Sequence, residues 1–120
     1  MISKSKIDLN LDAGEMPQAL IDGSEEALYQ IVSSVNIACG GHAGDESTMK
    51  KAVELAMKYN LNIGAHPSFP DRENFGRTIM KMPHKELVDS LVEQTENLQK
   101  VCREFGAELS HIKPHGTLYN

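Results

Sequence analysis

The chain has 120 residues and a formal net charge of −5, from 12 basic and 17 acidic side chains. That balance leaves no basic stripe to displace counterions from a nucleic-acid backbone, so a nucleic-acid partner is excluded. Hydrophobic content of 40% and charged content of 24% fit a soluble globular protein with a buried core, and residues 1–120 read as a single domain.

The N-terminal MISKSKIDLN has basic residues with no apolar run behind them, so it does not read as a signal peptide. No segment approaches the ~18 consecutive apolar residues of a membrane span. Cys39 and Cys102 stand far apart in no C-x-x-C pair, which fits reduced thiols and a cytoplasmic location.

In chain order, residues 6–12 (KIDLNLD) predict a strand, and Ser24 is a plausible N-cap for a helix over 24–33. Residues 35–39 predict a second strand, followed by a helix from the N-cap Asp45 to about Tyr59. A third strand covers 61–66. After a proline-containing loop, a long helix covers 84–105, its stripe made by Leu87, Leu91, Leu98, Val101, Cys102 and Phe105, with Gly106 as its stop. Residues 108–113 predict a fourth strand.

Strand–helix alternation of this kind implies a parallel sheet with right-handed crossovers. Strand one separates Ile7, Leu9 and Leu11 from Asp8, Asn10 and Asp12 by parity, and strand three separates Leu61, Ile63 and Ala65 from Asn62, Gly64 and His66. A parallel strand buried between two helix layers is apolar on both faces. Here one face is polar, as in a (β/α) barrel, where helices cover the outside and active sites lie at the carboxyl ends of the strands. Those ends collect Asp12 and Glu15, His42 and Asp45, His66, and Lys113 and His115. Convergence of titratable groups from four loops predicts a functional site there.

Simpler readings cover other residues. Asp45 satisfies helix N–H groups as a cap, His84 faces solvent, and Glu25 and Glu26 favour the positive end of a helix dipole. His111 reads equally as an interior histidine or as part of the site.

Four stretches, IDLNLDAGE (7–15), NIACGGHAGD (36–45), IGAHPSFPDRENFGR (63–77) and HIKPHGTLYN (111–120), together resemble the LamB/YcsF family, whose members include one component of the multi-subunit, ATP-hydrolysing 5-oxoprolinase. Asn74 and Thr78 depart from the family's pattern, which has a glycine before FGR and a second arginine after it. The resemblance implies an α/β fold, here the N-terminal half of a TIM-like or seven-to-eight-stranded (β/α) barrel with about four strands and three helices, since a complete barrel takes ~250 residues. It also implies ATP-dependent opening of 5-oxo-L-proline to L-glutamate together with two partner subunits, with Mg²⁺ entering on the nucleotide. An open sheet edge also allows a homo-oligomer.

Against that reaction, Asp12, His42, Lys113 and His115 are the expected catalytic residues, with Asp12 and His42 as general bases. Asn10, Glu15, Gly40, Gly41, Asp45, His66 and Arg77 are expected to bind substrate. Arg77 and Lys113 suit a carboxylate or an oxyanion. No G-x-x-x-x-G-K-[ST] run occurs, but the Gly40–Gly41 turn can offer backbone N–H groups to an anion. Asp12, His42, His66 and His115 form a nitrogen and oxygen set that can hold a divalent ion. No compact H-x-x-x-H spacing pins a ligand pair, so no tightly held metal is expected. The alternatives are a metal-dependent amidase or carbohydrate deacetylase on a related barrel, and a non-catalytic assembly module.

Overall fold

Four parallel strands form one sheet in chain order, in a computed structural model that describes residues 7–120. The elements are β1 (Asn10–Ala13), α1 (Pro17–Asp22), α2 (Ser24–Tyr29), β2 (Ser34–Ala38), α3 (Glu46–Lys58), β3 (Asn62–His66), α4 (His84–Glu104) and β4 (Leu109–Ile112), closed by a 3₁₀ turn at Gly116–Leu118. This is the partial parallel barrel that the alternation of elements predicts.

The register explains the two faces. Asp12, Asn36, Gly64 and His111 stand side by side across the sheet and make its polar row. The flanking rows are Leu11–Val35–Ile63–Leu109 and Ala13–Ile37–Ala65–Ile112. A register shift between Ile63 and Gly64, against Leu109 and His111, takes up Ser110 and keeps both rows aligned on β4. Val35, Ile37, Ile63 and Ala65 pack with Ala52, Val53 and Ala56 of α3 and with Leu98, Val101 and Cys102 of α4. Helix α3 is capped as expected: the Thr48 amide donates to Asp45 Oδ1 and the Asp45 amide to Thr48 Oγ1, both at 2.8 Å.

The first third of the chain departs from its predicted form. Lys6, at the start of the first predicted strand, lies outside the described residues, and pairing begins only at Asn10. Ile7 and Leu9 are exposed, so the parity that placed them on a covered face does not hold. The helix predicted over 24–33 ends at Tyr29, and an unpredicted short helix, α1, precedes it across Gly23. Ser24 is not the cap. Its amide instead donates to Asp22 Oδ1 at 2.8 Å, and Gly23 holds the cap position. Six-residue helices span too few turns for an apolar stripe to register in the sequence.

Glu25 is also not a surface dipole partner. It is buried, takes the Gly14 N–H at 3.0 Å and accepts the Tyr29 hydroxyl at 2.8 Å. Glu26 does lie outside, joined to Lys58 at 2.8 Å and Tyr59 at 2.6 Å. Cys39 and Cys102 are free and buried, and burial pushes their thiols up to about 12 and about 11. Among the described residues no helix is long and apolar enough to cross a membrane.

Burial raises the Glu25 carboxyl above its ordinary value, against the opposing hydrogen bonds of Tyr29 and Gly14. The folded chain therefore binds more protons than the unfolded chain between the unfolded value of about 4.3 and the raised folded value. Stability from this group falls as pH rises through that window. Glu25→Gln removes the slope, so urea unfolding of the variant gains on the parent as pH rises from about 4. A difference between the two that stays constant with pH would remove Glu25 as the source.

Candidate active site

The carboxyl ends of the strands bring four side chains into one small volume. Glu15 follows β1, His42 sits in the loop after β2, His66 ends β3, and His115 follows β4. His42 Nε2 lies 2.6 Å from Glu15 Oε2, His66 Nε2 3.8 Å and His115 Nδ1 3.7 Å from the same oxygen. His66 Nε2 and His115 Nδ1 are 3.1 Å apart. The His42 and His115 rings stack with centroids 3.6 Å apart, and Phe75 meets both edge-on. All three histidines are 1–6% exposed.

The second nitrogen of each ring is tied outward. His66 Nδ1–H donates to the Lys113 carbonyl at 2.6 Å, and His115 Nε2–H donates to the Phe75 carbonyl at 2.8 Å. The Ser68 hydroxyl lies 3.1 Å from His42 Nδ1 and 2.9 Å from the Phe69 carbonyl. Carbonyl oxygens accept only, and this fixes the tautomers of His66 and His115. Neutral His66 and His115 then point bare lone pairs inward.

Beside the cluster runs the polar row of the sheet. Asp12 Oδ1 accepts from Lys113 Nζ and from Asn36 Nδ2, both at 3.1 Å, and Asp12 Oδ2 lies 3.4 Å from His66 Nε2. Asn10 Oδ1 accepts from the same Lys113 and Asn36 groups. His66 foremost, then Lys113 and Asn36, hold the Asp12 carboxyl well below the usual carboxylate range against the effect of burial. Burial lowers His115 first of all, and the charges of His42 and His66 act in the same direction. His111 donates from Nε2 to Asn36 Oδ1 at 2.7 Å. It is a bonded member of the polar row, outside the cluster.

Asp12, Arg77 and His115 line an open cleft of about 350 Å³ with Gly116, Thr117 and Asn120. The Arg77 guanidinium stands 5.3 Å from the Phe75 ring. The structure thus brings Asn10, Asp12, Glu15, His42, His66, Arg77, Lys113 and His115 to one end of the sheet.

Three expected substrate contacts have other duties. Asp45 caps α3 and lines a cleft between α3 and α4 with Met49, Lys100 and Glu104, away from the histidines. A Cβ at Gly41 would overlap the Gln94 amide and the Ser68 hydroxyl, so this glycine lets the loop press on the protein's own side chains. Gly40 donates its amide to the Ala43 carbonyl at 2.9 Å, turning the chain back on itself. At Gly44, φ is +90° and a Cβ would lie 2.6 Å from the Ala38 carbonyl. The glycine-rich run folds a tight loop that delivers His42; the anion-cradle reading of Gly40 and Gly41 gives way to this one. His84 is exposed at the start of α4, as expected.

Several supporting residues went unread in the sequence. Gln94 on α4 accepts the Ser68 amide at 3.0 Å and donates to the Ser68 carbonyl at 2.8 Å, fixing the residue that fixes His42. The signal was present: Gln94 falls on the helical stripe between Leu91 and Leu98, where an apolar residue belongs. Glu25, with Tyr29 four residues on, is a similar pair.

In parallel α/β folds the carboxyl ends of the strands are where small-molecule sites form, and here they hold three histidines, a carboxylate and two flanking cations. The comparisons narrow the class. The model of the LamB/YcsF family matches residues 7–120, and the chain belongs to that family. A crystal structure of a lactam utilization protein from Thermus thermophilus is 40% identical, with a TM-score of 0.88 over 96% of this chain. This chain spans 47% of that protein's length.

Replacing Gln94 by Ala strands a buried amide and a buried carbonyl of Ser68. Each unpaired group costs about 1–3 kcal/mol, so Gln94→Ala is expected to lose about 2–6 kcal/mol in denaturant titration. A loss below about 0.5 kcal/mol, the level of an ordinary surface substitution, would show that the Gln94 clasp is dispensable.

Proposed function

We propose that this chain is part of an enzyme that opens the cyclic amide of 5-oxo-L-proline to L-glutamate with ATP hydrolysis, in company with two further subunits. The observation that carries the reading is the cleft at the strand ends, where Arg77 and Lys113 flank Asp12 and His115. Family membership and the 40% identity to a lactam utilization protein support it.

An unstrained lactam is a poor electrophile, and the chemistry divides accordingly. Phosphoryl transfer from ATP to the lactam oxygen makes the ring carbon more electrophilic, and Mg²⁺ enters with the nucleotide. Water then adds at that carbon, the ring C–N bond breaks, and the nitrogen leaves with a proton. The acyl phosphate that remains takes a second water and releases phosphate and glutamate.

Within this chain, Arg77 is the exposed cation for the substrate carboxylate. Lys113, held by Asp12 and Asn10, faces developing negative charge on oxygen. The cluster of His42, His66 and His115 is where water is activated. Asp12, engaged by Lys113 and Asn36, holds protons poorly. Its work is to orient Lys113 rather than to act as the base.

The test is glutamate release from 5-oxo-L-proline with ATP, Mg²⁺ and the two partner subunits, run with this chain and beside it a longer version of the same polypeptide. Release that requires ATP supports the proposal; silence from both preparations rejects it. In whichever preparation turns over, Arg77→Ala is expected to raise KM by about 10–100-fold, the value of one charge-assisted contact. A larger fall in kcat than rise in KM would place Arg77 at the reacting atoms instead.

A further inference from the structure

Within the cluster, four electron-rich atoms face one another. With the outer nitrogens of both rings donating to carbonyl oxygens, neutral His66 and His115 oppose each other through lone pairs at 3.1 Å. Glu15 Oε2 faces the same point, 2.6 Å from His42 Nε2, 3.7 Å from His115 Nδ1 and 3.8 Å from His66 Nε2. Acceptors do not rest against acceptors at hydrogen-bond distance unless positive charge lies between them.

A proton supplies that charge only by making one ring of the His66–His115 pair cationic. That puts a cationic imidazole among buried rings that stack at 3.6 Å and touch edge-on at 4.9 Å and 5.3 Å. A buried charge held away from solvent is costly. One divalent cation satisfies all four atoms at once.

We infer that Glu15, His42, His66 and His115 form a binding site for a zinc-class divalent transition metal. The ligand atoms that the four residues offer lie within 4.8 Å of one another. A tetrahedral ion with bonds of about 2.0–2.1 Å keeps its ligand atoms about 3.3 Å apart; four of the six separations, at 2.6, 3.1, 3.7 and 3.8 Å, bracket that value, and all lie within 4.8 Å. Three imidazoles and one carboxylate suit zinc, cobalt(II) or iron(II) better than magnesium or calcium, which prefer all-oxygen shells. The outer contacts are those of ligating histidines, each second N–H held by a carbonyl or hydroxyl oxygen. The cleft beside His115 leaves a route for water or substrate to reach the ion.

Asp12 is a neighbour of this set rather than a member. Its carboxylate is engaged by Lys113 and Asn36, and Glu15 takes the fourth place beside the three rings. The inference goes beyond the reaction proposed above and stands or falls without it, because metal binding is measured in the absence of substrate.

The chain, freed of metal by chelator and dialysed, is titrated with Zn²⁺ by calorimetry and with Co²⁺ by visible absorption. One equivalent of each is expected, with the strong visible bands of low-coordinate cobalt and a rise in Tm on adding zinc. His66→Ala and Glu15→Gln are each expected to weaken zinc binding by at least about 100-fold, and Ser68→Ala, which removes only an outer acceptor, by about tenfold. His84→Ala, on the exposed start of α4, leaves binding unchanged. Should His66→Ala fail to fold, Glu15→Gln at the partly exposed member decides alone. A folded parent chain that takes up no zinc overturns the inference, as does uptake that Glu15→Gln leaves at the parent's affinity.

Discussion

Three hydrogen bonds directed away from the site govern everything inside it. The Lys113 and Phe75 carbonyls and the Ser68 hydroxyl each claim one ring nitrogen, and the two carbonyls dictate which nitrogen of His66 and of His115 is bare. Without them an imidazole can turn over and present N–H where a lone pair stands, and the cluster loses its common direction. The acceptors come from loops and from the stretch after β4, so these segments specify the chemistry of residues far from them in sequence.

Those acceptors are themselves held. Gln94 grips Ser68 through both its backbone groups, and Gly41 leaves the room that this grip occupies. On the other side, buried Glu25 fastens Gly14, the residue before Glu15, and is braced by Tyr29. The helices therefore do more than cover the sheet. Helix α4 reaches the site through one amide, and α2 through one carboxylate. Each such contact is a polar group buried beneath the loops and fully bonded, which is the condition under which burial of polarity is tolerated.

Much of this was legible in the sequence. Alternation gave the parallel sheet, and parity found the polar row because strand periodicity is a local property of the backbone. Gly64 and His111 occupy that row as their positions indicated. The histidines were found because each lies at or just beyond the carboxyl end of a strand. The choice of Glu15 over Asp12 as the cluster's carboxylate was not legible, because it depends on a turn tied down by Glu25, eleven residues beyond Gly14. The glycines misled for a related reason. A GGHAG run states that backbone must come close to something, and sequence does not say whether that is a ligand or Gln94 and Ser68. Helix α1 was missed because six residues carry no periodic signal.

The polar row and the cluster are closed by partners far apart along the chain. Asp12 meets Lys113 across 101 positions, and His66 meets His115 across 49. Each neighbouring strand pair can form across a single connection, but these contacts require the whole sheet to be in register first. Loop-closure entropy for the longest of them must be met before any of their enthalpy is returned. The geometry of the site is thus the slow, high-contact-order part of this molecule. Its assembly reports on whether β4 has docked, and any agent that loosens that last strand dismantles the site while the first three strands still hold their core.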